Sequence, residues 1–185
     1  MKTLGRFLAH SLSRPLSLPL WLSLLLLAGC SVMQSQQGSP VPGNAQFAVL
    51  PLINLSQTPQ AGDQAASVVS AILRAKGRDN VTLYLPDDRN PLLYESSERQ
   101  QTAMNSARND GAEYLVTGTV EEWRYKSGLD GEPAVGITLE VRSADDNRVV
   151  WSGTAARTGW GRESVSVAAH KVLDELVDAM PVTNQ

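Results

Sequence analysis

Few residues in this chain could do chemistry. The candidates are one cysteine, Cys30, two histidines, His10 and His170, and the adjacent carboxylate pairs Asp87-Asp88, Glu121-Glu122 and Asp145-Asp146. Nucleophilic hydrolysis needs a nucleophile, an imidazole base and a third group that orients the base, and a zinc site needs three or four ligands. One cysteine and one histidine from residue 30 onward supply neither set. Paired carboxylates could serve glycoside hydrolysis, but neighbours along a strand point to opposite faces and turn pairs are solvated. No P-loop or dinucleotide fingerprint is present. His170 stands beside Lys171 on a helical pattern and reads as an ordinary surface histidine. The inventory implies no catalysis, no metal and no cofactor, and points to binding, scaffolding or assembly.

Cys30 has a context of its own. Lys2, Arg6 and Arg14 precede it with no acid among them, and Leu16 to Leu27 is an apolar run interrupted by Pro19. That run is too short for a bilayer span of roughly 20 residues, whereas it suits the core of an export signal. Ala28 and Gly29 supply the small residues at which such signals are cut. Leu27-Ala28-Gly29-Cys30 resembles the bacterial lipobox, whose cysteine is diacylated and becomes the first residue of the mature chain. An ordinary secretory signal is the competing reading, and it leaves a lone exposed thiol in an oxidising compartment. Residues 1–29 are thus expected to be a lipoprotein signal peptide. Ser31 follows where an aspartate commonly causes inner-membrane retention, so the resemblance implies transfer to the outer membrane.

Removal of residues 1–29 leaves 156 of the 185 residues, enough for one domain with its own core. It also takes away three bases, so 13 basic residues face 19 acids and the mature net charge is −6. Nucleic acid and a bare anionic membrane surface both reward basic patches, and neither suits this balance as the chief partner. SVMQSQQGSPVPGNA, residues 31–45, is polar, rich in Gly, Pro, Ser and Gln, and without periodicity. With Cys30 it reads as a lipidated, flexible tether of residues 30–45 reaching at most ~50 Å.

A single periplasmic domain is expected over residues 46–181. QFAVLPLIN suits a buried strand, and Ala66, Val69, Ile72 and Leu73 recur at helical spacing from Asp63 to Lys76 before Gly77. VTLYL is a second strand, residues 86–91 a loop, and 97–109 a helix with thin apolar content in Ala103, Met104 and Ala107. Three strands follow without a helix, AEYLVTGTVEEWRY, AVGITLEVR and RVVWSGTAAR. In the middle one Val135, Ile137, Leu139 and Val141 alternate with Gly136, Thr138, Glu140 and Arg142. The last helix, about 163–180, carries Val165, Ala169, Val172, Leu173, Leu176 and Met180 as its apolar stripe. The order β-α-β-α-β-β-β-α predicts an α+β fold, a two-layer sandwich with helices packed on a mixed sheet.

Several of these stretches also carry a family likeness. AVLPLINLS, GAEYLVTGTVEEW and LEVRSADDNRVVWSGTA resemble the signatures of small bacterial outer-membrane lipoproteins related to the amino-terminal domain of TolB and to CsgG. Within that group the chain is similar to the PelC-like lipoproteins of Pel exopolysaccharide export, and RTGWGRESVSVAAHKVLDEL adds to the likeness. It covers essentially the whole mature domain. The resemblance implies a homo-oligomeric, lipid-anchored periplasmic ring below an outer-membrane export porin, guiding a cationic exopolysaccharide. It implies neither an enzyme nor a nucleic-acid binder. No pair of alternating segments of about 10 residues is left over for a barrel of the chain's own, unlike the CsgG-like pores. An LpoB-like lipoprotein activator of an envelope enzyme is the alternative, and it would bind one synthase instead of forming a ring.

Tryptophans and acids divide the domain into candidate surfaces. Trp151 shares a strand face with Val149, Gly153 and Ala155 and is expected in the core. Trp123 has no readable side. Trp160, between Gly159 and Gly161 in a connection, is either a membrane-interface anchor or a lid folded over the end of the sheet, and the family likeness favours the membrane. If the three long strands are antiparallel neighbours, Trp160 lies at the end shared with residues 125–133, and the turn holding Asp145 and Asp146 lies at the other. That acidic pair, repeated once per subunit, becomes the expected polymer-guiding site, although Asp130 and Glu132 fall at the Trp160 end.

Overall fold

Pro51 divides the first strand of the domain, because a residue without an N–H cannot hold a ladder position. The structure, a computed structural model, describes residues 31–36, 38–85, 96–127, 131–159 and 163–183. Their order is β1 (Ser31–Ser35), β2 (Val41–Pro42), β3 (Phe47–Val49), β4 (Ile53–Asn54), α1 (Ala61–Ala75), β5 (Val81–Leu83) and α2 (Ser96–Asn109). The long strands β6 (Tyr114–Tyr125), β7 (Pro133–Ser143) and β8 (Val149–Thr158) come next, then α3 (Val165–Asp178) and β9 (Val182–Thr183). The α+β class and the mixed sheet are as expected.

Spatial order in the main sheet is β1-β8-β7-β6-β3-β5, with β4 taking up β6 again after the break at Pro51. β6, β7 and β8 are antiparallel neighbours, while β3, β4 and β5 run parallel to β6 or to each other. α1 and α3 cover one face. Ala65, Ala66, Val69 and Leu73 from α1, and Val172, Leu173 and Leu176 from α3, close over Val116, Val120, Ile137, Leu139 and Trp151. Each buried Val, Leu or Ile side chain there contributes roughly 1.5–3 kcal/mol. The thin stripe Ala103, Met104 and Ala107 of α2 packs on the other face, against Ala48, Leu50 and Leu115. α3 begins where the Ser164 hydroxyl accepts from the Val167 N–H at 3.1 Å, a cap that satisfies one orphan donor.

Gly118, in the middle of β6, has φ +151° and would place a Cβ 1.9 Å from the Thr138 carbonyl oxygen on β7. No side chain fits there. Gly118→Ala is expected to cost about 3 kcal/mol or more, from strain plus a clash with backbone that cannot retreat. Denaturant melts measure it, and a loss below about 0.5 kcal/mol would show that β6 and β7 can part at no cost.

One expectation is overturned. Residues 31–45 are not a loose tether over their described part. Ser31 to Ser35 pair antiparallel with Arg157 to Gly153 as the sheet's edge strand. The Gln36 and Ser39 N–H groups donate to Ser152 and Val150, and Val41 and Pro42 pair parallel with Val182 and Thr183. Val41 and Ala45 are buried. β8 otherwise ends the sheet with unpaired backbone groups, and any extended segment that satisfies them is held. β9 also carries the ordered domain past residue 181.

The pairing gives the sheet two ends. Tyr125 opposite Pro133, Ala134 opposite Thr158 and Ser31 opposite Arg157 gather the β6–β7 connection, the β8–α3 connection and the entry of the chain at one end. The β7–β8 turn, with the C-termini of α1 and α3, lies at the other.

Candidate functional site

The turn between β7 and β8 is tightly built. Ser143 N–H donates to the Arg148 carbonyl, Asn147 N–H donates to that of Ser143, and Asn147 takes φ +59°. Ala144 is buried behind it, with its N–H on the Glu113 carbonyl and its own carbonyl accepting from Arg108 Nε at 2.7 Å. Both predicted acids are exposed, but they differ. Asp146 Oδ1 accepts the Arg148 N–H at 3.1 Å and Oδ2 lies 3.4 Å from Arg148 Nε. The backbone N–H of Arg148, then the Ser143 hydroxyl, hold the Asp146 carboxyl below its ordinary value. Asp145 makes no hydrogen bond or ion pair among the described residues. Asp146 therefore shapes the turn, and Asp145 is the carboxylate it presents.

Lys76 answers two further acids at this end. Its ammonium sits 2.8 Å from Asp174 and 2.6 Å from Asp178, and hydrogen bonds to those two carboxylates raise its pKa. Asp174 and Asp178 are thereby partly neutralised, a pairing that helical spacing in the sequence does not reveal. His170 is exposed on α3, as expected.

Trp160, the expected membrane-interface residue, lies outside the described residues, as do Cys30 and Asp130, and the described residues that flank them are at the opposite end of the sheet. Their flanks are described. Gly159 N–H donates to the Pro133 carbonyl at 2.9 Å. Glu163, with its side chain 12% exposed, pairs with Lys171 at 2.7 Å and approaches Arg157 at 3.8 Å. Val165 N–H donates to the Tyr125 hydroxyl. Both sides of the β8–α3 connection are thus fixed to the body of the domain. Glu132 lies at this end, where its carbonyl accepts the Lys126 N–H. Trp123 and Trp151 are both buried, which settles the first and agrees with expectation for the second.

An open groove of about 650 Å³ runs between Leu55, Ser56 and Gln57 on one side and Glu121 to Arg124 on the other. Of its two acids, Glu122 is paired with Arg124 at 2.7 Å and Glu121 accepts from the Thr119 hydroxyl. Asp87 and Asp88 lie outside the described residues. Among the described residues no group of three or more His, Cys, Asp or Glu side chains could hold a metal ion.

Fold and surface together define a one-domain α+β protein whose exposed chemistry is an outward carboxylate at one end and the chain's entry at the other. No family model matches the chain, and no curated protein matches it in sequence. Solved structures do. The PelC dodecamer from Paraburkholderia phytofirmans is 32% identical over 84% of this chain and 100% of that one, with a TM-score of 0.71. A variant of that dodecamer in a second crystal form is 33% identical over 83% and 100%, with the same TM-score. The LpoB C-terminal domain from Salmonella enterica is more remote, at 17% identity, 65% and 87% coverage and a TM-score of 0.45. The chain belongs to the PelC family.

Proposed function

We propose that this chain is a periplasmic lipoprotein of the outer membrane that assembles into a ring and takes part in exporting a Pel-like exopolysaccharide through an outer-membrane porin. The observation that carries this reading is the 32% identity to a dodecamer-forming PelC whose whole length the chain covers. Cys30 holds the chain to the bilayer through its acyl groups, and Trp160 meets the membrane interface. The separated ends of the sheet support this arrangement, because the chain enters at the end that carries the β8–α3 connection.

Asp145 and Asp146 then face away from the membrane and recur once per subunit around the ring's opening. One exposed carboxylate attracts a polycation weakly, but repetition around one mouth multiplies the contact. Native mass spectrometry and electron microscopy of the detergent-extracted lipoprotein test the ring, and a monomer would defeat it. Asp145→Asn with Asp146→Asn is expected to leave folding and assembly intact, since an asparagine oxygen at position 146 can still accept the Arg148 N–H. Secretion of a cationic amino-sugar polymer should fall several-fold, with Asp145→Asn alone giving most of the loss. Polymer binding should weaken as salt rises, because such contacts are screened over about 8 Å at physiological ionic strength. Normal secretion by the double variant would remove the electrostatic guide from the mechanism.

A further inference from the structure

β1 is joined to the sheet differently from the segment that follows it. All five side chains of Ser31 to Ser35 are exposed, and backbone pairing with Arg157 to Gly153 holds the strand. The Ser31 hydroxyl adds a bond to Glu175 at 3.3 Å. Such bonds replace bonds to water and are worth little net, and a strand that buries no side chain gains little further from docking. From Gly38 onward the chain is built into the body of the domain. A Cβ at Gly38 would lie 2.2 Å from the Val150 carbonyl oxygen and 2.8 Å from the Trp151 Cβ. Val41 is buried, its N–H donates to the Pro181 carbonyl, and it pairs with Val182. β1 can therefore leave β8 without opening the core.

We infer that β1 is a releasable strand, unpaired from β8 while the acyl chains of Cys30 are carried through water to the outer membrane and paired with it once they are seated there. The inference rests on the lipoprotein reading of Cys30. Two acyl chains do not cross an aqueous space bare, because every methylene opposes exposure, so a soluble carrier with an apolar cavity must enclose them. Cys30 is one peptide unit, about 3.8 Å, from Ser31. With Ser31 held opposite Arg157, the acyl chains emerge against the body of the domain and leave no room for a cavity wall to close between. With β1 released, the chain is next held at Ser39, whose N–H donates to the Val150 carbonyl at 3.2 Å. Ser39 lies nine residues from Cys30, a reach of about 30 Å when extended. The uncharged, exposed side chains of SVMQS suit a segment that spends part of its time in water.

Locking the strand tests this. Gln36 N–H donates to the Ser152 carbonyl, so in the alternating antiparallel ladder Met33 and Ala155 are a non-hydrogen-bonded pair. The Cα atoms of such a pair are about 4.5 Å apart, within the span of a disulfide. Met33→Cys with Ala155→Cys is made in the full chain and expressed in cells with and without a thiol reductant, and the two membranes are separated. Oxidised protein should carry a diacylated Cys30 by mass spectrometry yet be several-fold enriched in the inner membrane, while reduced protein should reach the outer membrane as the parent does. Gln34→Cys with Thr154→Cys, both exposed, repeats the lock if the first pair fails to fold. Gln34→Pro removes an N–H of the ladder and should arrive normally. Equal distribution of oxidised and reduced diacylated protein between the membranes overturns the releasable strand and leaves the anchor standing. Retention of folded Gln34→Pro in the inner membrane also overturns it. An unmodified Cys30 in the parent overturns the lipoprotein reading itself.

Discussion

Trp151→Ala is expected to destabilise the domain by about 3–5 kcal/mol, the usual result of truncating a fully buried tryptophan. A domain of this size holds a net stability of about 5–15 kcal/mol, so the loss is a large share of the total. Trp151 is 2% exposed and sits where three parts of the fold meet. It pairs with Val141 on β7. Its indole lies over Gly153, where an added Cβ would be 2.8 Å from the ring and 3.2 Å from Leu176 of α3. Its own Cβ lies 2.8 Å from the position a side chain at Gly38 would take, so the segment after β1 packs directly on it. The cavity cannot be filled from Gly153 or Gly38. Chemical denaturation should give the full loss, and hydrogen exchange should show residues 31–36 and 38–40 opening ahead of the rest. Trp160→Ala is the contrast, with stability changed by less than about 0.5 kcal/mol and export impaired. Equal, large losses for the two variants would place Trp160 in the core and remove it from the membrane.

The pattern of what was legible follows from how each residue is buried. β7 alternates because one face of it meets α3 while Thr138 and Glu140 on the other stay partly exposed, and period two records that. The apolar stripe of α3 is readable for the same reason. β1 has no such record. All five of its side chains are exposed, so SVMQS carries no alternation, and backbone pairing alone makes it a strand. Trp123 was unreadable because the β6 register shifts between Val120 and Glu122, which breaks the alternation just before it. At the acidic turn the residue types were plain and the roles were not. Only the bonds from Arg148 and Ser143 separate Asp146, which builds the turn, from Asp145, which it displays. Leu55 follows the QFAVLPLIN run in a stretch of turn residues, and its sequence does not show the bonds of Asn54 and Thr58 that fix the loop around it.

Cys30→Ser is expected to abolish retention at the outer membrane while leaving the fold unchanged. A single acyl chain binds a bilayer only marginally, and two chains are the threshold for stable attachment, so losing the diacylated thiol removes the whole anchor. No helix among the described residues is long and apolar enough to cross a membrane in its place. Stability should stay within about 0.5 kcal/mol, because the pairing of β1 with β8 begins at Ser31 and involves no atom of the thiol. Fractionation should move the protein out of the outer membrane, residue 30 should lose its lipid mass, and polymer export should fall to background. Outer-membrane residence of the variant, with an unmodified residue 30 in the parent, would sink the lipoprotein reading.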